Sequence, residues 1–191
     1  MATVNATQVL QQQLANTYSN VNDVVRQITD EEWLHRPYPG APPLGFTAWH
    51  IAATVDWALN VWVQAGQELR ATLDLPGINP ASPPFGMTEE DADAIAAGTN
   101  RDAALEYARV AYDAWAAWLD GLSDSDLDRV PGVPDHAVQL PQHRVDGYLE
   151  ELAMMAGYSV ARIVISPCNG HVRGHLGEIA MALSVLRGRG I

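Results

Sequence analysis

The stretch LQQQLANTYSNVNDVVRQI, residues 10–28, decides the fold class. Its apolar residues Leu10, Leu14, Tyr18, Val21, Val25 and Ile28 recur at spacings of four and three, which puts one stripe of a helix against a core. The spacing predicts a helix over residues 5–28. Thr29-Asp30-Glu31-Glu32 then resembles a capping box opening a short turn, and the proline-rich run from Arg36 to Pro43 cannot continue a helix. From Phe46 to about Arg70 apolar residues lie nearly all round, including Trp49, Ile51, Val55, Trp57 and Trp62, so this helix is expected to be central.

Residues 72–99 form a long crossover, with a short acidic helix expected from Thr88 to Ala97. A third long helix is predicted from Asp102 to Leu122, and a fourth helical segment from Val145 to Ile165. Ser166-Pro167 reads as an N-cap followed by proline at the first helical position, opening a last helix that runs to about Arg187. One helix over residues 145–187 would be about 64 Å long at 1.5 Å per residue, so a break is expected at Pro167. No strand pattern or internal repeat is visible. The expected fold is all-α, a four-helix bundle. The long crossover permits an up-down-down-up order, with an additional helix before the terminal one.

Composition narrows the function. The chain has 191 residues, which favours one domain spanning 1–191. It carries 23 acidic residues against 11 basic ones, all arginine, for a formal charge of -12. Such a charge repels a phosphate backbone, so no nucleic-acid partner is expected. The lack of lysine excludes a P-loop lysine, a Schiff base and a Ser-Lys dyad. No apolar run is long enough for a membrane span. The first residues show no signal-peptide pattern and Cys168 is the lone cysteine, so the cytoplasm is the expected compartment.

His171 and His175 are four apart on the last helix, and Glu178 continues their line. A helical His-x-x-x-His pair can chelate one metal ion because it presents two nitrogens from one rigid element. Six histidines produce such a pair by chance often enough that it carries little weight alone. A third ligand must come from another element, and His50, early on the most buried helix, is the natural candidate. A histidine on an apolar helix also reads as a hydrogen-bonded core residue. His35, His136 and His143 read as surface residues.

Val172 stands where a zincin needs its glutamate, no Glu-x-x-His pair supports a di-iron bundle, and no Gly-x-Ser-x-Gly elbow occurs. Cys168 reads as a small buried hydrophobe, or as a thiol activated by a helix start. Trp57, Thr47 and Thr54 share a face with His50, where they line a pocket mouth, orient His50 or simply satisfy the helix.

The run Asp30-Glu31-Glu32-Trp33-Leu34, then Arg36-Pro37 and Pro39-Gly40, precedes a Trp-His helix. The chain closes on His171-Val172-Arg173-Gly174-His175-Leu176-Gly177-Glu178-Ile179 and Leu186-Arg187-Gly188. In this order the motifs resemble the DinB-like (YfiT-type) metal-binding helical bundle family. The resemblance implies an up-down-down-up bundle, often a homodimer, with one divalent metal ion (zinc, nickel or iron) held by His50, His171 and His175. It also implies metal- and thiol-dependent transfer or isomerisation of a small electrophilic substrate with mycothiol, bacillithiol or glutathione. Glu178 stands where the family more often has Gln, and is the candidate to accept a proton or orient a ligand. A metal-dependent hydrolase of a small ester or amide, and a non-catalytic metal-binding dimer, are the alternatives. The arginine- and alanine-rich composition hints at a GC-rich genome and so at mycothiol.

Overall fold

The computed structural model describes residues 5–78, 87–133 and 148–188, and among these it is helical throughout, without a strand. Helix α1 spans Ala6–Val25, α2 Leu44–Asp56, α3 Glu89–Gly98 and α4 Arg101–Asp120. Helix α5 spans Tyr148–Met155, α6 Val160–Ile165 and α7 Val172–Leu186. Two widened, π-helical turns extend this set: Trp57–Val63 continues α2, and Ser166–His171 joins α6 to α7. No helix among the described residues is long and apolar enough to cross a membrane.

Four helices form the bundle, and their side chains fix its order. Asp124, just past α4, accepts from the N–H groups of Ala6 and Thr7 at the start of α1, and Arg101 at the start of α4 donates to the Ile28 carbonyl just past α1, so α1 and α4 are antiparallel. Thr17 in mid-α1 meets Asn169 ahead of α7, while Arg187 just past α7 meets Glu32, so α1 and α7 run together. His50 near the start of α2 lies against His171 and His175, whereas Trp57 beyond its end lies near Ser166, so α2 opposes α7. The order is up-down-down-up, as the long crossover allows.

The core is tryptophan-rich: Trp49, Trp57, Trp62 and Trp115 are fully buried, and the Trp115 indole donates to the Val55 carbonyl at 3.0 Å. The expected boundaries hold for α1 and α4 within a few residues. Thr88 starts α3 through a capping box with Asp91, as its sequence predicts. Thr29 and Glu32 also cap each other across the turn after α1, at 2.9 and 3.3 Å.

Three sequence expectations are corrected. The second helix stops at Val63 rather than near Arg70, because Ala65 turns into left-handed backbone (φ 53°) and the Gly66 N–H bonds back to the Asn60 carbonyl at 2.7 Å. The fourth segment is interrupted at 156–159, where Ser159 caps α6 on the Arg162 N–H. Pro167 does not break the chain. It sits in the widened turn that carries α6 into α7, so the additional helix is α5 and the break falls at Gly157, between α5 and α6. The start of the fourth segment, residues 145–147, lies outside the described residues, as do His136, His143 and part of the crossover.

Close packing ties the turn after α1 to the bundle. The Gly45 N–H donates to the Trp33 carbonyl at 2.8 Å, and a Cβ at Gly45 would lie 2.4 Å from the Trp33 ring. That ring is buried and its indole N–H is held by the Ala96 carbonyl at 3.0 Å, so it cannot retreat cheaply. Gly45→Ala is expected to destabilise the fold by about 1–3 kcal/mol in urea unfolding.

Arg187 grips the Glu32 carboxylate with Nε at 2.8 Å and Nη2 at 2.6 Å, joining turns 155 residues apart. This bidentate partner holds the Glu32 carboxyl down to about 2, from an ordinary 4.5. Between those values the unfolded chain binds the extra proton, so the stabilisation is complete above about 4.5 and lost as pH falls towards 2. Glu32→Gln should therefore lower the melting temperature at pH 7 and leave a flatter dependence on pH between 5 and 2.

Candidate metal centre

His50 lies in the second turn of α2, half-buried, with the Phe46 ring one turn earlier stacked on it at 5.7 Å and 17°. One turn later the Thr54 hydroxyl is 3.5 Å from its Nε2. His171 is the last residue of the widened turn, and His175 follows one turn into α7. Their three Nε2 atoms converge. His50 Nε2 is 3.0 Å from His171 Nε2, which is 3.1 Å from His175 Nε2. One nitrogen from each ring lies within 4.8 Å of the other two.

This spacing suits a shared cation. Imidazole nitrogens bonded to zinc at about 2.0–2.1 Å, with angles between right and tetrahedral, lie about 2.9–3.4 Å apart. Without a cation, each contact can be a hydrogen bond only when one nitrogen carries a proton and the other a lone pair. The far nitrogen of His175 settles its tautomer: Nδ1 is 2.8 Å from Glu178 Oε2, which keeps the proton on Nδ1 and the Nε2 lone pair towards the cluster. Burial of one side of His171, helped by the neighbouring His175, pushes its imidazole down to about 4 and keeps it neutral at pH 7. Glu178 is exposed and serves His175 three residues earlier.

The family model of the DinB superfamily matches residues 13–179. The chain belongs to the DinB superfamily. A crystal structure of the conserved protein of locus from Enterococcus faecalis has a similar fold, with a TM-score of 0.61 at 16% identity, covering 98% of this chain and 100% of that one. No curated protein matches the chain. Three histidines brought together on two antiparallel helices fit a metal-binding helical protein of this superfamily.

The other residues singled out in this DinB-superfamily chain take quieter places. Cys168 is fully buried, and burial pushes its thiol far above the ordinary range, so it is a small hydrophobe and no nucleophile. The Thr47 hydroxyl bonds the Pro43 carbonyl one turn back. His35 is half-buried in the turn after α1 and outside the cluster. Trp57 is buried 7 residues on from His50 and borders a cavity of about 140 Å³ that reaches the cluster.

Sequence reasoning missed what supports this end of α2. The Asp56 carboxylate, wholly buried, accepts the Tyr107 hydroxyl at 2.7 Å, the Asn60 amide at 2.8 Å and the N–H groups of Leu69 and Arg70 at 3.0 and 3.2 Å. Beside it, Arg70 pairs with Glu68 at 2.7 Å, and burial pushes the Glu68 carboxyl up to about 7. An acidic residue inside an otherwise apolar run is the signal that could have revealed it, since a buried carboxylate must find donors. Asp56→Ala leaves those donors unmet and is expected to cost about 3–5 kcal/mol. Tyr107→Phe removes one bond and should cost about 1–3 kcal/mol, both read by urea denaturation.

Proposed function

We propose that the chain binds one divalent metal ion through His50, His171 and His175 and uses it, with a low-molecular-weight thiol, to transfer or isomerise a small electrophilic substrate. The observation that carries this reading is the meeting of three Nε2 atoms, two of them from histidines that border a cavity. When bound, a divalent ion supplies positive charge that favours the thiolate form of a small thiol at neutral pH.

The chain's own residues do the rest. Phe46 and Thr54 bracket the His50 ring along α2, so its Nε2 faces the other two. Glu178 holds the proton at His175 Nδ1 and so acts as a positioning residue, since its carboxylate is bonded to the ring edge away from the cluster. The neighbouring wall of Trp57, Ala58 and Pro167 offers apolar contact to the carbon skeleton of a small substrate. Three imidazole ligands leave coordination positions open, as in catalytic rather than closed structural sites.

Elemental analysis of untagged protein should find about one divalent ion per chain, falling at least tenfold in His50→Ala. Glu178→Gln should weaken metal affinity about 10- to 100-fold. Metal-loaded protein given mycothiol, bacillithiol or glutathione with 1-chloro-2,4-dinitrobenzene should form the thioether with at least one thiol. His50→Ala should lose that activity. No turnover with any thiol, or equal consumption of the electrophile without thiol, would overturn the thiol-dependent reading.

A further inference from the structure

The cavity beside the cluster lies between two irregular stretches of backbone. Trp57 and Ala58 open the widened turn that ends α2, and Ser166 and Pro167 open the one that leads into α7. Each widened turn pairs residues at i→i+5 and shifts the following side chains around the helix axis, which is how such turns reshape helix faces at functional sites. Because α2 and α7 are antiparallel, the opening residues of the two turns face one space and line it from two sides. Met155 and Tyr158, from the end of α5 and the loop after it, close the outer side. His50 and His171 stand at the opposite end.

The lining is apolar and uncharged. Trp57, Ala58, Pro167 and Met155 present carbon or sulfur, and the polar atoms near them belong to hydroxyls and imidazoles. Among the described residues no aspartate, glutamate, lysine or arginine lines it, so an ionised group entering would lose its hydration without a counter-charge from a side chain. At about 140 Å³ the space is close to the apolar cavity of about 150 Å³ that holds benzene in another protein. An indole face and a methionine sulfur are the side chains that favour an aromatic ring.

We propose that this cavity receives a single uncharged aromatic ring of the substrate, whose reactive substituent then points to the His50 and His171 end. Its chemical role rests on the metal-centre reading, whereas occupancy of the cavity does not. With no metal ion bound, a carboxylate on the ring would find no cationic side chain among the described residues that line the cavity.

The test is fluorine NMR titration of the purified chain with fluorobenzene, before and after chelator treatment. Saturable one-to-one binding of fluorobenzene is expected in both forms, and 4-fluorobenzoate should bind at least tenfold more weakly to the chelator-treated form. Ala58→Phe fills the space and should weaken fluorobenzene at least tenfold. Met155→Trp, at the half-buried outer wall, should do the same and covers the case in which Ala58→Phe fails to fold. Loss of the metal reading with retained ring binding leaves this proposal standing. Absence of saturable binding, equal binding of 4-fluorobenzoate to the chelator-treated form, or folded Met155→Trp protein with unchanged affinity would overturn it.

Discussion

The Thr17 hydroxyl donates to the Asn169 side-chain oxygen at 2.6 Å, and the Asn169 amide donates to the Val164 carbonyl at 3.0 Å. On this short chain of bonds the rest of the structure depends. Pro167 offers no N–H to the preceding turn, and in most helix interiors such a residue kinks or ends the helix. Here a side chain serves a carbonyl just ahead of the proline, and the backbone passes through in a widened turn. The Tyr112 hydroxyl adds a bond to the Cys168 carbonyl at 3.2 Å, so α1 and α4 both hold the turn in place. His171 ends that turn. Its direction, and hence the meeting with His50 and His175, is set by contacts with helices that carry none of the three histidines.

Much of this was legible beforehand, and the part that was not has a common cause. Helices α1 and α4 announce themselves by apolar spacing, because burial on one face imposes the period directly. The His171–His175 pair and its alignment with Glu178 follow from helix geometry alone, though the carboxylate serves His175 rather than both. What sequence could not show is a helix that survives Pro167, because the Asn169 amide that serves the Val164 carbonyl is itself oriented by Thr17, 152 residues away. The early stop of α2 was hidden for a similar reason. Local propensity over residues 64–70 allows a helix, while Asp56 draws the Leu69 and Arg70 N–H groups into another arrangement. The cavity wall from Met155 and Tyr158 was invisible because it depends on the interruption before α6.

The two buried polar systems divide the work. Asp56 with Tyr107, Asn60 and the Leu69–Arg70 backbone fixes the far end of α2, among four buried tryptophans, so that end is rigid by both packing and hydrogen bonding. Asn169 with Thr17 fixes the opposite side of the site, on the turn that follows α6. Neither system touches the three Nε2 atoms. Such support by surrounding shells is what holds ring nitrogens near the geometry a small ion demands, since rings on freely rotating side chains would drift apart.

The distance along the chain between His50 and His171, 121 residues, also sets a schedule for biosynthesis. At about 5–20 residues per second, a ribosome needs about 6–24 s to move from one to the other. Throughout that interval His50 lacks both of the imidazoles that it meets in the fold. The three-histidine cluster forms only when the final helix has left the exit tunnel and settled between α1 and α2. Any ion that the cluster holds would be taken up after His175 has been made.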